Sequence, residues 1–183
     1  MGGDADIVRV LESLSALART GWMLRGVPHQ CAESVAEHSF WSAVLAFEIA
    51  VRARSVGVDV DPYGAAAIAL FHDVGEAVIG DIAKVSGISE EEKVAAEERA
   101  VRSMGLSGEA KGLVGRFNRG EDVEARIAKL AEVLATLLKA LSYERRGFDV
   151  SDIRDNMLRR VRELAGELGV LEVVREVSGI PDL

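Results

Sequence analysis

The sequence predicts an all-α fold, a bundle of about six or more helices. Aromatic residues make up only 5% of the 183 residues and aliphatic residues are abundant, a composition that favours packed helices over a β-sandwich. Apolar residues recur at the three- and four-residue spacing of a helix, not at the alternating spacing of a strand. No repeat, low-complexity stretch or long linker interrupts the pattern, so we expect one domain over residues 1–183.

The individual helices follow from their apolar stripes and start signals. A first stripe begins at Val8 and ends near Arg19, and residues 20–33, with two glycines and a proline, are predicted to form a loop. Ser34 and Glu37 have the S-x-x-E spacing of a capping box, which places a helix start at Ser34. Similar signals, including Asp61-Pro62, a second capping box at Ser89 and a cap at Ser151, predict helices at 35–56, 61–73, 89–104, 107–117, 121–143, 151–168 and 170–177, with a short turn or helix at 76–81.

Composition excludes several classes of protein. The net charge of −8 argues against a general nucleic-acid surface, because such binding requires many Lys and Arg side chains on phosphates. No long apolar run or signal-peptide pattern is present, so we expect a cytoplasmic protein without a membrane span. Cys31 is the only cysteine, which rules out an intrachain disulfide, and its polar surroundings give no sign of a nucleophile.

His72 and Asp73 are the most informative residues in the chain. They stand at the end of an apolar run, where burying an imidazole and a carboxylate is costly unless a partner such as a metal ion satisfies them. His38 lies one turn into the helix that should start at Ser34. Two of the three histidines therefore fall in segments that could supply one metal site.

These motifs resemble those of the HD-domain metal phosphohydrolases. The segments RTGWMLRGV (19–27), SVAEH (34–38) and HDVGE (72–76), with Gly80-Asp81 just beyond, are similar in order and spacing to the YfbR-like 5′-deoxynucleotidase branch. The resemblance covers about residues 7–148 and leaves residues 151–183 as a helical extension. It implies an HD-domain bundle around one divalent metal site, with His38, His72 and Asp73 as ligands.

The expected fourth ligand departs from the family pattern. Relatives carry an aspartate in a late helix, and the matching segment Lys129–Lys139 has Glu132 there. Its position in an apolar helix favours a metal or a basic neighbour, although an exposed helix-face acid is the alternative. Two imidazoles and two carboxylates suit Mn, Co, Ni, Fe or Zn, and no organic cofactor is needed.

The resemblance also assigns roles around the ion. Glu76 and Asp81 match carboxylates that act in acid-base chemistry, orient water or meet the sugar. Arg19 matches a phosphate-binding arginine, with Arg25 beside it or in its place. The same comparison gives Trp22 as an aromatic wall against a ribose 2′-hydroxyl and Lys84 as a further phosphate contact. A second departure is the stretch 115–118, Gly-Arg-Phe-Asn, where relatives carry an acidic run.

These features predict a metal-dependent phosphohydrolase acting on deoxyribonucleoside 5′-monophosphates. Two alternatives remain: an HD hydrolase of another small phosphoester or nucleotide, and a non-catalytic helical protein that senses a metal or ligand. Relatives form homodimers, and we expect the same here through Leu137, Leu141 and Tyr143 on the late helix.

Overall fold

A computed structural model describes residues 4–83 and 87–183, and it confirms the all-α prediction. The side chains of residues 4–6 and 90 are not described. The helices in chain order are α1 (Asp4–Ala16), α2 (Thr20–Met23), α3 (Val35–Ser55), α4 (Pro62–Phe71), α5 (Glu76–Ile79), α6 (Glu90–Ser103), α7 (Gly108–Arg119), α8 (Val123–Arg145), α9 (Ser151–Leu168) and α10 (Leu171–Ser178), with a 3₁₀ turn at His29–Cys31.

Local capping explains where α3 begins. The Ser34 side chain accepts from the Glu37 backbone N–H, and the Glu37 carboxylate accepts from the Ser34 N–H at 2.7 Å. Both bonds satisfy backbone donors that the first turn of a helix leaves free. A second reciprocal box at Ser89 and Glu92 starts α6 in the same way. The sequence predicted both starts correctly.

Two local predictions were wrong. Residues 20–33 are not a plain loop, because they contain α2 and the 3₁₀ turn; these pieces are too short to give a periodic apolar pattern. Ser151 does not cap α9, since it is the first helical residue and its hydroxyl donates to Asp149 at 2.8 Å.

Helix α8 is the centre of the bundle. It packs against α3, α4 and α9, and α3 also packs along α4. Ile127, Leu130 and Leu134 of α8 are fully buried. Full burial of such a side chain contributes about 1.5–3 kcal/mol. The packing fixes the first turn of α3 beside the end of α4, which positions the candidate site.

The predicted contact surface on the late helix is wrong. Leu137 and Tyr143 are each 1% exposed, and Leu141 packs against the main core of its own chain. These residues are occupied within the chain because α8 is enclosed on most sides. The homodimer itself stays a prediction.

None of the helices within residues 4–83 and 87–183 is both long and apolar enough to cross a membrane.

Candidate metal centre and active site

Three predicted ligands meet where the start of α3 abuts the end of α4. His38 lies in the first turn of α3, His72 is the residue that closes α4, and Asp73 follows it. Each offers a ligand atom within 4.8 Å of the others. The Asp73 Oδ2 atom is 3.0 Å from His72 Nε2 and 3.9 Å from His38 Nε2. The cluster could hold a divalent metal ion.

The hydrogen bonding of the two histidines fits a metal. Both ring nitrogens of His38 are buried and have no hydrogen-bond partner among the described residues. Leaving a buried polar atom unpaired costs roughly 1–3 kcal/mol, so such atoms are rare unless a ligand satisfies them. The Nδ1 atom of His72 is 2.7 Å from the Ala69 carbonyl oxygen, which orients Nε2 towards Asp73. A carbonyl behind the ring is the usual support for a metal-bound histidine.

Burial and neighbouring charges shift the pKa values of all three side chains. Burial, with Arg19 and His72 nearby, holds the pKa of His38 well below its ordinary value, so this imidazole is neutral. For Asp73, burial would raise the pKa, but His72, His38 and Arg19 outweigh it and keep the carboxylate ionised. Burial alone would lower the pKa of His72, but the charges of Asp73 and Glu132 outweigh it and raise this pKa above its ordinary value.

Glu132 stands near this cluster without joining it. It is half-buried on α8, lines the same cavity and raises the pKa of His72 by its negative charge. It is absent from the group of described ligand atoms that lie within 4.8 Å of one another. Because Glu132 is half-buried, the alternative of an exposed helix-face acid is wrong, and its role as fourth ligand stays a prediction.

Glu76 is a buried acid in the first turn of α5. Burial, together with Asp73 and Asp81, raises its pKa to about 9, against the opposing charges of Lys93 and Arg19. The Lys93 Nζ atom lies 3.5 Å from Glu76 Oε1 and 3.4 Å from Glu97 Oε1. Glu76 is therefore protonated at neutral pH in the metal-free protein and could donate a proton.

Asp81 joins the end of α5 to α2. Its carboxylate accepts from the Thr20 backbone N–H, and its carbonyl accepts from the Thr20 hydroxyl at 2.9 Å. Both Asp81 and Glu76 line the cavity that contains the predicted metal ligands. The two predicted catalytic carboxylates are thus part of the same site.

Arg19 brings a positive charge into the cavity. Its Nη1 atom is buried and has no hydrogen-bond partner among the residues described here. The backbone around it is fixed, because Arg19 N–H donates to the Glu33 carbonyl at 2.9 Å and Ala18 pairs with Ser34 in an antiparallel bridge. A guanidinium with a free donor suits a phosphoryl oxygen.

Glu33 is a buried carboxylate that contacts both Trp22 and Lys139. Its side chain is almost fully buried; Oε1 accepts from Trp22 Nε1 at 2.9 Å, and Oε2 is 3.5 Å from Lys139 Nζ. The Trp22 ring is only 2% exposed and meets the Tyr143 ring edge-on at 5.0 Å. Trp22 lines the cavity, but most of its surface packs inside the protein.

Arg25 and Lys84 complete the predicted set. Arg25 lines the cavity but faces α9, where its Nε and Nη2 atoms donate to Asp152 Oδ2 at 2.9 and 2.5 Å. Its charge is therefore engaged away from the metal cluster. Lys84 lies outside the described residues.

Sequence reasoning missed several cavity residues. Lys93 and Glu97 stand one turn apart on α6, but that helix carries so many charges that its sequence does not single them out. In the 115–118 stretch, Arg116 turns away to Asp122, whereas the Phe117 ring packs 4.8 Å from the His72 ring. The cavity has a volume of about 540 Å³, within the roughly 300–1,000 Å³ usual for small-molecule sites.

The helical bundle and its His-His-Asp cluster define the class of protein. A family model described as HD domain matches residues 11–167, so the chain belongs to the HD-domain family, and it is a hydrolase. Among curated relatives, it is 31% identical over 143 residues to human 5′-deoxynucleotidase HDDC2, covering 75% of this chain and 66% of that protein. It is 28% identical over 177 residues to the bovine protein of that name, covering 93% and 80%.

Solved structures share the whole architecture. A conserved hypothetical protein from Pyrococcus furiosus superposes with a TM-score of 0.83 at 27% identity, covering 97% of this chain and 100% of that one. The alignment includes α9 and α10, so the C-terminal helices accompany the HD bundle in that protein too.

Proposed function

We propose that this phosphohydrolase removes phosphate from deoxyribonucleoside 5′-monophosphates, giving a deoxynucleoside and inorganic phosphate. The observation that carries the proposal is one cavity that contains both unsatisfied His38 nitrogens and the unsatisfied Arg19 Nη1 atom. A metal bound at one His38 nitrogen and a phosphoryl oxygen bound at Arg19 Nη1 would satisfy two of these three atoms. The names of the curated relatives support the same substrate class.

Each side chain then has a defined task. His38, His72 and Asp73 would hold the ion, with Glu132 as the fourth ligand, and Mn, Co, Ni, Fe or Zn suit this donor set. When bound, the ion lowers the pKa of a water molecule and neutralises phosphate charge. Arg19 binds a phosphoryl oxygen.

Glu76 and Asp81 would handle protons and position the substrate. Glu76 would supply the proton that the departing 5′-oxygen needs, because its carboxyl group lines the same cavity as the predicted ligands. Asp81 keeps Thr20, and with it the backbone beside Arg19, against this wall of the cavity. The products balance because water provides the hydroxyl that joins phosphorus and the alcohol takes a proton.

A substrate panel tests the proposal. Phosphate release is measured with deoxyribonucleotides, ribonucleotides and small phosphoesters, each with Mn²⁺, Co²⁺, Mg²⁺ and Zn²⁺. We expect the highest kcat/KM for deoxyribonucleoside 5′-monophosphates. A stronger preference for another phosphoester would replace the substrate, and protein that takes up no stoichiometric metal would favour a non-catalytic sensor.

Two substitutions separate chemistry from metal binding. Glu76→Ala should reduce turnover by roughly 10²- to 10⁴-fold with little change in metal content, because it removes an acid-base group. Asp73→Ala should lose both activity and metal. Equal turnover in wild type and Glu76→Ala would contradict the role assigned to Glu76.

We also propose that the protein is a homodimer, through an apolar face on α3 and α4. Phe40, Val44 and Val51 of α3 are exposed, and on α4 Tyr63 and Leu70 are exposed beside them. The Tyr63 ring meets that of Phe47 at 5.4 Å, which joins the two helices into one patch. Large exposed apolar patches mark contact sites.

The charges at the ends of α3 favour a second copy as the partner. A two-fold contact centred midway along this face would place Glu37 of one subunit opposite Arg54 of the other, and both are exposed. Light scattering should give twice the mass of the 19.6 kDa chain. Phe40→Asp should give the single-chain mass, while Arg160→Ala, an exposed change on α9, should not. A wild-type protein with the single-chain mass would refute the dimer and leave the hydrolase proposal standing.

A further inference from the structure

Helix α9 lines one side of the cavity that also contains the predicted metal ligands. Ile153, Asn156 and Met157 line the cavity from α9, and Leu24 faces the same space from the segment after α2. Residues spaced three and four apart project from one face of a helix, so the three α9 side chains form a continuous wall. No metal ligand or acid-base residue lies on this helix, and its contribution to the site therefore needs its own explanation.

The chemistry of this wall suits a flat, largely apolar group with a polar edge. Ile153, Met157 and Leu24 offer apolar contact, and Met adapts its shape to a planar ring. The Asn156 side chain provides both a donor and an acceptor. Its Oδ1 atom accepts from Arg159 at 3.0 Å, which orients the amide.

Charge on this side of the cavity disfavours an anion. Asp152 begins the wall, and its carboxylate holds Arg25 in a two-point ion pair, so the nearby positive charge is already neutralised. A second phosphate group placed here would meet a carboxylate and find no free cation among the described residues of α9 that line the cavity. The pair also joins the segment after α2 to α9.

We propose that α9 binds the nucleobase of the substrate, with Ile153 and Met157 against its face and Asn156 at its polar edge. The inference rests on the proposed function, because it assigns the leaving group of that reaction. In this role Ile153, Asn156 and Met157 determine which substrates bind. Recognition of the base is then separate from the chemistry at the metal cluster.

Substrates with and without a base test the proposal. Ile153→Ala and Asn156→Ala are compared with Arg160→Ala, an exposed control on the same helix, using the metal-loaded enzyme. The two substrates are a deoxyribonucleoside 5′-monophosphate and 2-deoxyribose 5-phosphate, which has the same phosphoester but no base. We expect kcat/KM for the nucleotide to fall by about 10-fold or more in each α9 variant, the scale of losing a pocket contact.

Activity on 2-deoxyribose 5-phosphate should stay within about twofold of wild type, and the control should match wild type on both substrates. Inhibition gives a second readout: the product deoxynucleoside should bind these variants more weakly, while inorganic phosphate should bind them equally well. Thermal unfolding and metal content verify that each variant is folded.

An equal loss on both substrates, or no loss on either, in a folded variant would overturn the α9 subsite. A wild-type enzyme that hydrolyses other phosphoesters but no nucleotide would overturn the proposed function instead. That result appears before any variant is made, so the two failures are distinguishable.

Discussion

Replacing Glu76 by glutamine should change how the stability of the metal-free protein depends on pH. In the folded state burial raises the Glu76 pKa to about 9, compared with 4.5 for an ordinary glutamate. Between those values the folded protein keeps a proton that the unfolded chain releases. The contribution of Glu76 to stability is therefore intact below pH 4.5 and is lost as the pH rises towards 9.

The size of the effect follows from the shift. Within this range each pH unit lowers the free energy of unfolding by about 1.4 kcal/mol for one proton. The proton on Glu76 should therefore lower the wild-type unfolding free energy by about 4 kcal/mol between pH 5 and pH 8. Glutamine has nearly the same shape as glutamate but does not ionise between pH 5 and pH 8. The unfolding free energy of Glu76→Gln, relative to that of wild type, should therefore increase by about 4 kcal/mol over this range.

Urea unfolding at pH 5, 6, 7 and 8, in the presence of a chelator, measures this difference. Glu163→Gln is the matched control, because Glu163 is an exposed acid on α9 with 48% of its side chain accessible. The unfolding free energy of Glu163→Gln should change with pH in the same way as that of wild type. A gap between wild type and Glu76→Gln that stays constant from pH 5 to pH 8 would refute the reasoning.

Three further predictions concern the metal cluster and the core. His38→Ala should reduce bound metal, measured by elemental analysis after dialysis, from about one ion per chain to nearly none, because it removes one of the three ligands of the tight cluster. Stoichiometric metal in this variant would remove His38 from the site. Glu132→Ala should weaken metal binding without abolishing it, since Glu132 stands outside the group formed by His38, His72 and Asp73. Competition with a chelator measures the change in metal affinity. An unaltered affinity would exclude Glu132 as a ligand. Leu134→Ala should lower the unfolding free energy by about 2–5 kcal/mol in urea titrations, because Leu134 is fully buried in the main core, and a loss under 1 kcal/mol would contradict that packing.

The features that the sequence predicted well are local. The start of α3 depends on Ser34 and Glu37, which are three residues apart, and the position of His38 in the first turn of the helix follows from that start. His72 and Asp73 are adjacent at the end of an apolar run. The juxtaposition of these two segments came from family resemblance, because helical periodicity does not say which helix ends meet.

The features that it missed depend on packing between distant segments. The sequence predicted a subunit contact at Leu137 because α8 has more apolar residues than one buried face requires. In the structure α8 packs against three other helices, which bury Leu137. Phe40 and Val44 on α3 follow a similar apolar pattern and are exposed. Periodicity identifies apolar faces but not the neighbours that cover them. The same limit concealed the approach of α9 to the cavity, since Asp152 and Arg25 are far apart in the chain.

The two ends of the segment between α1 and α3 lie side by side, which matters for engineering this enzyme. Hydrogen bonds from Arg19 N–H to the Glu33 carbonyl and from Val35 N–H to the Leu17 carbonyl join its two ends beside the bundle. Compact loops with adjoining ends can vary in length and composition while the framework is preserved. Trp22 and Val27 of this segment are buried with Tyr143, so a graft that redirects the enzyme to new esters would have to keep these two residues as well as both ends.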